Sequence, residues 1–375
     1  MKIIIDCSNL QAGGGIQVAL SFINDLNVMN EKDEFVIIMS PQIAPSIKKI
    51  KLESNFNTIE INKLYHKYIL FRGRVIKKIE NLYKPDVIFT VFGPSYHKSR
   101  FPKVVGFAVG QMLYPKSPYF KKLNYFTFVK LKLTLKLKKF FFINNSDILI
   151  FETDDAKNIF SKISGGKIKS YTVSNTLNEV FYNPKRWIYK DINSSNTFNI
   201  LYITANYTHK NLSIIPGIIN HILNQTSIRD FKFILTISKD ESRFSDTYDQ
   251  YIEYIGKVSI DEVPLLYKQA DIFFMPSLLE IFSTSYLEAM YMEKPIIASD
   301  MSFARDICND AAIYCEPLSC VDYANAIINL YGDENLRTEL IQNGLINLKR
   351  FSDSMDRTKS YFEILKKYSY NENTK

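Results

Sequence analysis

Two α/β domains, each a Rossmann-like, doubly wound parallel sheet and the two facing across a cleft, are predicted from three observations. Short apolar runs bounded by turn residues alternate with segments long enough for crossover helices, a polar stretch interrupts this series near mid-chain, and the series then restarts. A length of 375 residues points the same way, because single cores stop growing at about 250–300 residues. With 46% hydrophobic and 23% charged residues, including 24 Tyr and 27 Phe, the chain can bury large cores and lies outside the disordered class.

In the first half, strands are predicted at 2–6, 35–39, 86–92, 104–108, 147–151 and 170–173. The first leads into Gly13-Gly14-Gly15 and then Ile16, Val18, Leu20, Phe22 and Ile23, which predict a helix over 16–26. Glycines at such a helix start let the backbone approach a ligand and aim amides at a phosphate. Their spacing is not the GxGxxG of a dinucleotide site. Residues 129–137 alternate apolar and polar as a strand would, yet they lie in a long connection between parallel strands, where a crossover helix is expected. We therefore predict a helix there.

The polar stretch 182–197, with Pro184 and Asn193-Ser194-Ser195-Asn196, reads as a linker. Strands resume at 199–204, 231–237, 251–255, 271–275, 295–299 and 312–315. The predicted domains are 1–180 and 195–352, followed by a helix and tail at 353–375 that packs back toward the N-terminal domain. Ligands of such sheets sit outside the carboxyl ends of the strands, so the loops after the strands are where chemistry is sought.

Composition removes several function classes. No run approaches the roughly 18 to 20 apolar residues of a spanning helix, and Asp6 interrupts the N-terminal run too early for a secretory signal, so a cytoplasmic location is expected. Cys7, Cys308, Cys315 and Cys320 lack paired metal-ligand spacing, and no metal is expected. Charge is uneven. Between positions 87 and 146 there is no Asp or Glu but eleven Lys and Arg, more than the whole chain's net +8. Within this region, 114–142 interleaves nine aromatics with its lysines, ending in Lys138-Lys139-Phe140-Phe141-Phe142. Such a pattern suits an anionic membrane surface, at about 1 kcal/mol per basic residue. Nucleic acid is disfavoured, because no RNP, KH or zinc-finger signature accompanies the charge.

The most informative segment is Pro276-Ser277-Leu278-Leu279-Glu280-Ile281-Phe282-Ser283-Thr284-Ser285-Tyr286-Leu287-Glu288-Ala289-Met290. It follows a strand, and Ser283, Thr284 and Ser285 are N-cap types ahead of a helix over 286–292. Amides and hydroxyls there suit a diphosphate. Glu280 falls in the loop and Glu288 in the second helical turn, too far apart to share a proton, so each is expected to grip different hydroxyls of one ligand. Lys210 ends the loop Ala205-Asn206-Tyr207-Thr208-His209-Lys210 after strand 199–204, on the same sheet edge, where it can neutralise a diphosphate.

These residues resemble the retaining glycosyltransferases of family 4, whose architecture is the B-type glycosyltransferase fold. Glu280 and Glu288 match that family's E-x7-E element, and Leu287-Glu288-Ala289-Met290 with Pro295-Ile296-Ile297-Ala298-Ser299-Asp300 is similar to the helix and strand that follow it. Tyr254-Ile255-Gly256-Lys257-Val258-Ser259 through Asp271 is similar to its nucleobase-side segment. The resemblance implies that Glu288 holds ribose hydroxyls, Glu280 the transferred sugar and Lys210 the diphosphate, helped by Asn206, Gly14, Gly15 and the amides near Ser283, Thr284 and Ser285. Gly256, Lys257 and Val258 would line the base, and domain 1–180 would bind the acceptor.

Two departures stand out. Ala205 takes the place of a usual arginine, and Val109-Gly110-Gln111 stands where many members carry a histidine, so no acceptor-side catalytic residue carries over. The implied activity is metal-independent, cofactor-free hexosyl or N-acetylhexosaminyl transfer from a UDP- or GDP-sugar. The expected acceptor is a lipid-linked glycan of a bacterial surface polysaccharide such as O-antigen, capsule or lipopolysaccharide, met at the inner face of the membrane. The alternatives are a nucleotide-sugar 2-epimerase of the same fold and a non-catalytic basic adaptor for membrane or nucleic acid.

Overall fold

The computed structural model describes residues 1–11, 13–29, 32–192 and 197–369. Two compact units divide the chain, one made of Met1–Leu113, Phe126–Asn175 and Ser352–Lys375, the other of Tyr114–Tyr125 and Thr176–Phe351. The helices that matter below are α1 (Gly14–Met29), α2 (Ile69–Tyr83), α3 (Tyr125–Asn144), α4 (Thr284–Tyr291) and α5 (Ser354–Tyr368).

In the first unit, β1 (Lys2–Cys7), β2 (Glu34–Met39), β3 (Phe56–Glu60), β4 (Val87–Thr90), β5 (Lys103–Gly106), β6 (Ile148–Phe151) and β7 (Lys169–Thr172) pair in the order β3-β2-β1-β4-β5-β6-β7. Every pairing is parallel. The inner strands are mostly apolar runs because both faces are covered. Ile3, Ile5, Val87 and Phe89 pack with α1 and α5 on one side, while Ile4, Val36, Ile38 and Ile88 pack with Ile76 and Ile79 of α2 on the other. The strand β3 was missing from the sequence reading. Its FNTIE run lies at the sheet edge with no fully buried residue, so it carries no apolar signal.

The second unit repeats the plan. Here β8 (Phe198–Tyr202), β9 (Phe231–Leu235), β10 (Ile252–Tyr254), β11 (Ile272–Met275), β12 (Ile296–Ser299) and β13 (Ala312–Cys315) pair in parallel in the order β10-β9-β8-β11-β12-β13. In both sheets the order reverses beside the first strand, between β1 and β4 and between β8 and β11. The crevice at such a reversal is the usual ligand position of an open α/β sheet.

Three boundaries differ from expectation. Residues 114–125, assigned by sequence to the N-terminal domain, belong to the second unit, as do residues from Thr176 onward. Part of the expected linker is tied down: Arg186 pairs with Glu179 at 2.8 Å and Asp261 at 3.0 Å, and the Trp187 indole N–H donates to the Val180 carbonyl. Residues 193–196 of that linker and 370–375 of the tail lie outside the described residues. Helix α5 packs on α1, with Tyr361 edge-on to Phe22 at 5.5 Å and Arg357 donating to Asn175 and Ser21. Burial of Tyr361, Phe362 and Leu365 stabilises this docking by roughly 1.5–3 kcal/mol each.

Residues 129–137 are helical, inside α3. The alternating pattern gives way because an isolated strand there would leave its backbone groups unpaired, whereas a crossover helix satisfies them internally. Phe142 is the buried residue of this helix; most of the rest is exposed.

Candidate functional site

Strand β8 ends at Tyr202, whose buried hydroxyl donates to the Lys210 carbonyl at 2.7 Å and so closes the loop that follows. That loop ends in a single turn, Thr208–Lys210, followed by Asn211 in the left-handed region. The loop after β11 is stitched to it, because the Leu278 amide donates to the His209 carbonyl at 2.7 Å. With the two backbones joined, the Lys210 ammonium reaches Glu280 Oε1 at 2.7 Å. Both side chains are about 15% exposed, so the pair is accessible from one side only. Burial alone would depress the lysine, but Glu280, with Tyr202 adding to it, holds the ammonium above the ordinary lysine range. His209 lies 3.9 Å from the same carboxylate, and burial pushes its imidazole below the ordinary value.

Glu288 sits one helical stretch further on, in the second turn of α4. Its carboxyl is 5% exposed and accepts from Thr284 Oγ1 at 3.1 Å and from the Tyr267 hydroxyl at 3.2 Å. Burial pushes it up to about 7, against the pull of those two hydroxyls. No cation neutralises it among the described residues. A buried carboxyl with only neutral donors gains most from a further pair of hydroxyls.

The other predicted residues divide. Ser283 occupies the N-cap of α4 without a side-chain cap bond, Thr284 spends its hydroxyl on Glu288, and the Ser285 carbonyl accepts from Tyr267 at 3.1 Å. Gly256 follows β10 with φ of +68°, a left-handed conformation that favours glycine, while Lys257 is exposed and Val258 half-buried. Asn206 donates to the Glu241 carbonyl at 2.5 Å, which leaves it tied to a neighbouring loop. Gly14 and Gly15 lie in the first unit, at the start of α1. A side chain at Gly15 would come within 3.3 Å of Leu10 and Phe92.

Sequence reasoning missed what holds the loops. Ser117 Oγ donates to the Leu278 carbonyl at 2.5 Å, and Lys122 donates to Asn211 at 2.5 Å and Ser213 at 2.8 Å. Lys122, though exposed, therefore also serves these loops. From sequence, Tyr267 stands only within the segment similar to the family's nucleobase side. These links join positions far apart in sequence, and no local pattern announces them.

The first unit holds a cavity of about 990 Å³ at the carboxyl edge of its sheet. Its walls come from the segments after β1, β2, β3, β4 and β5, from the start of α1, and from α2 and α3. Of the site residues expected from sequence, only Gly15 lines it. Among the described residues no group of three or more His, Cys, Asp or Glu is arranged to hold a metal ion.

Residues 247–345 match the family model described as "Glycosyl transferases group 1". Among curated proteins, O-antigen chain mannosyltransferase B of Escherichia coli is 29% identical over 106 residues, which is 28% of each chain. An uncharacterized glycosyltransferase of Methanocaldococcus jannaschii is 27% identical over 236 residues, covering 59% of this chain and 66% of that one. The chain thus spans under two thirds of the curated relatives it matches. Among solved structures, Anabaena HepE in complex with UDP aligns over 98% of this chain and 99% of its own, at a TM-score of 0.68 and 13% identity. The resemblance to group 1 glycosyltransferases is borne out, and the fold is the B-type glycosyltransferase fold with two Rossmann-like domains.

Proposed function

We propose that the chain is a retaining glycosyltransferase that moves a hexosyl or N-acetylhexosaminyl group from a nucleoside-diphosphate sugar to a lipid-linked glycan in bacterial surface polysaccharide assembly. The observation that carries this is the Lys210–Glu280 pair, held at the switch point of the second sheet one helical stretch before the buried Glu288. A nucleotide sugar offers one group to each. Its diphosphate competes with Glu280 for Lys210, its sugar hydroxyls take the released carboxylate, and its ribose hydroxyls bond to Glu288. The family match over 247–345 and the UDP bound by Anabaena HepE support a nucleotide-sugar donor. The E. coli relative supports surface polysaccharide.

In the reaction the bond from the anomeric carbon to the diphosphate oxygen breaks. The acceptor oxygen forms the new bond on the same face, and its proton passes to the departing diphosphate. Lys210 and the first turn of α4 stabilise the negative charge that develops, so no metal is required. A donor panel of UDP- and GDP-sugars assayed with EDTA present is the test. Turnover with one donor class is expected to persist; no hydrolysis or transfer from any member would refute the assignment.

Attachment to an anionic membrane surface through α3 belongs to the same reading. No helix of the described residues is long and apolar enough to cross a membrane. Along α3, however, the exposed Phe126, Val129, Leu133, Leu137 and Phe140 recur every three or four residues, which places them in one stripe. At 100° per residue, Lys130 flanks the stripe on one side and Lys132 and Lys136 on the other, all exposed. An apolar stripe edged with lysines fits a helix lying in the headgroup layer. Flotation with phosphatidylglycerol vesicles should exceed that with phosphatidylcholine, and equal flotation would remove the membrane from this reading.

A further inference from the structure

The cavity of the first unit is lined by Lys63, Lys67, Arg72 and Lys138, together with His66 and Tyr96, and no Asp or Glu lines it among the described residues. None of the four cations is ion-paired with a carboxylate among those residues. Arg72 is the informative one. Its side chain is 5% exposed, its guanidinium lies 5.2 Å from the Tyr96 ring centre, and among the described residues its side chain makes one hydrogen bond, a long 3.5 Å contact to the His66 carbonyl. The buried Nε atom has no partner among the described residues. The nearest opposing charge, Asp6, is already bonded to the Ser8 amide at 3.0 Å and to the Thr90 hydroxyl at 3.2 Å.

A buried guanidinium with an unused N–H is costly unless a ligand completes it. Its planar fork matches the oxygens of a phosphoryl group, and the lysines add point charges around the rim. His66 donates Nε2–H to the Ser8 carbonyl at 3.0 Å, and burial, with Arg72 adding to it, keeps the imidazole below its ordinary value. It is therefore neutral near pH 7 and supplies no charge that would compete with the guanidinium. Gly15, in the first turn of α1, also lines the cavity.

We infer that this cavity is a subsite for a phosphoryl or diphosphoryl group carried by the acceptor, with Arg72 as its anchor and Lys63, Lys67 and Lys138 as its rim. The inference rests on the glycosyl-transfer reading only for the word acceptor; the anion site stands on the cavity itself. Two sources share this chemistry, the diphosphate of a lipid-linked glycan and the phosphate of a soluble sugar phosphate.

Calorimetric titration of the full chain with inorganic diphosphate at low salt tests the site. Binding is expected to weaken at least about tenfold in Arg72→Gln, equivalent to one lost charge-assisted bond. It is expected to recover partly in Arg72→Lys and to persist in Lys210→Ala. A pair of rim substitutions, Lys63→Gln with Lys67→Gln, should weaken it several-fold and leaves the buried arginine in place, which separates ligand loss from misfolding. Binding unchanged in all three cavity variants but abolished in Lys210→Ala would confine the diphosphate to the second unit and overturn the inference. Competition then identifies the source. Displacement by a short-chain prenyl diphosphate sugar alone assigns the lipid headgroup, and equal displacement by a hexose 1-phosphate assigns a soluble phosphorylated acceptor. Equal displacement by an uncharged alkyl glycoside overturns the anion site. If diphosphate binds here while no nucleotide sugar binds anywhere, the transferase reading fails and the site remains.

Discussion

At the switch point of the first sheet, between β1 and β4, four cations line a cavity with no carboxylate on its walls among the described residues, whereas at the matching point of the second sheet Lys210 is already bonded to Glu280. The backbone plan is the same, but the state of the charges is not. On the proposed function an incoming diphosphate would trade places with Glu280, and the trade would free a carboxylate for hydroxyls, so binding and positioning would be one event. On the proposed anion subsite the first unit would need no such displacement. A neutralised pair confers selectivity for a ligand that offers both an anion and hydroxyls, while an unneutralised cavity selects for negative charge alone.

The largest effect that would break this contrast is expected at Lys210. Its replacement by alanine should lower kcat about a hundredfold, as for loss of one preorganised donor to a developing anion. Combining it with Glu280→Gln should cost much less than the product of the single effects, because the two act as a unit. Independent effects in that double-mutant cycle, measured by steady-state transfer, would show that the pair is incidental.

Glu288 offers the next test, through pH. Its folded carboxyl stands at about 7, raised from an ordinary 4.5, so the folded state holds the proton more tightly than the unfolded state. The stability this contributes is present below about pH 4.5 and is lost as pH rises through about 7. Thermal melts of the ligand-free protein should therefore fall between pH 5 and pH 8 more in the wild type than in Glu288→Gln. The gap is of order 1–3 kcal/mol, at about 1.36 kcal/mol per unit. Nucleotide affinity should move oppositely, rising through pH 7 as the carboxylate that accepts ribose hydroxyls forms, and this rise should be absent in Glu288→Gln. Parallel pH profiles in the two proteins would take Glu288 out of the site.

Salt should separate the units. Diphosphate binding in the first is expected to weaken more steeply between 50 and 300 mM salt, roughly a few-fold beyond the loss seen for nucleotide, because exposed rim lysines are screened while a part-buried pair is not. The smallest effect is expected at Ser117. Removing its bond to the Leu278 carbonyl in Ser117→Ala should cost about 1 kcal/mol, read as a fall in kcat/KM of up to about fivefold with little change in melting temperature. No change at all would mean that the Leu278–Glu280 loop is positioned by its backbone link to His209 alone.

Much of this could be read from the chain, and the reasons differ by region. The six strands of the second sheet are apolar runs closed by turn residues, and each appears within two residues of where its pattern places it. The meeting of Lys210 and Glu280 was legible because both lie in loops after strands on one sheet edge. The edge strand β3 was not, because a half-exposed strand with a polar centre has no periodic signal. Arg72 was not legible either. It lies within a helix whose sequence, ILFRGRVIKKIENLY, carries four basic residues, and only burial against Tyr96 distinguishes it.

The sequence by itself determined the doubly wound class and which loops emerge at the carboxyl ends of the strands, since these follow from local periodicity. Tertiary structure alone decided the state of the charges: that Lys210 is already paired, that Glu288 is buried without a cation, and that Arg72 stands with an unused N–H in a cavity of its own. Charge state depends on distance and solvent exclusion, and both are set by packing between residues tens to hundreds of positions apart.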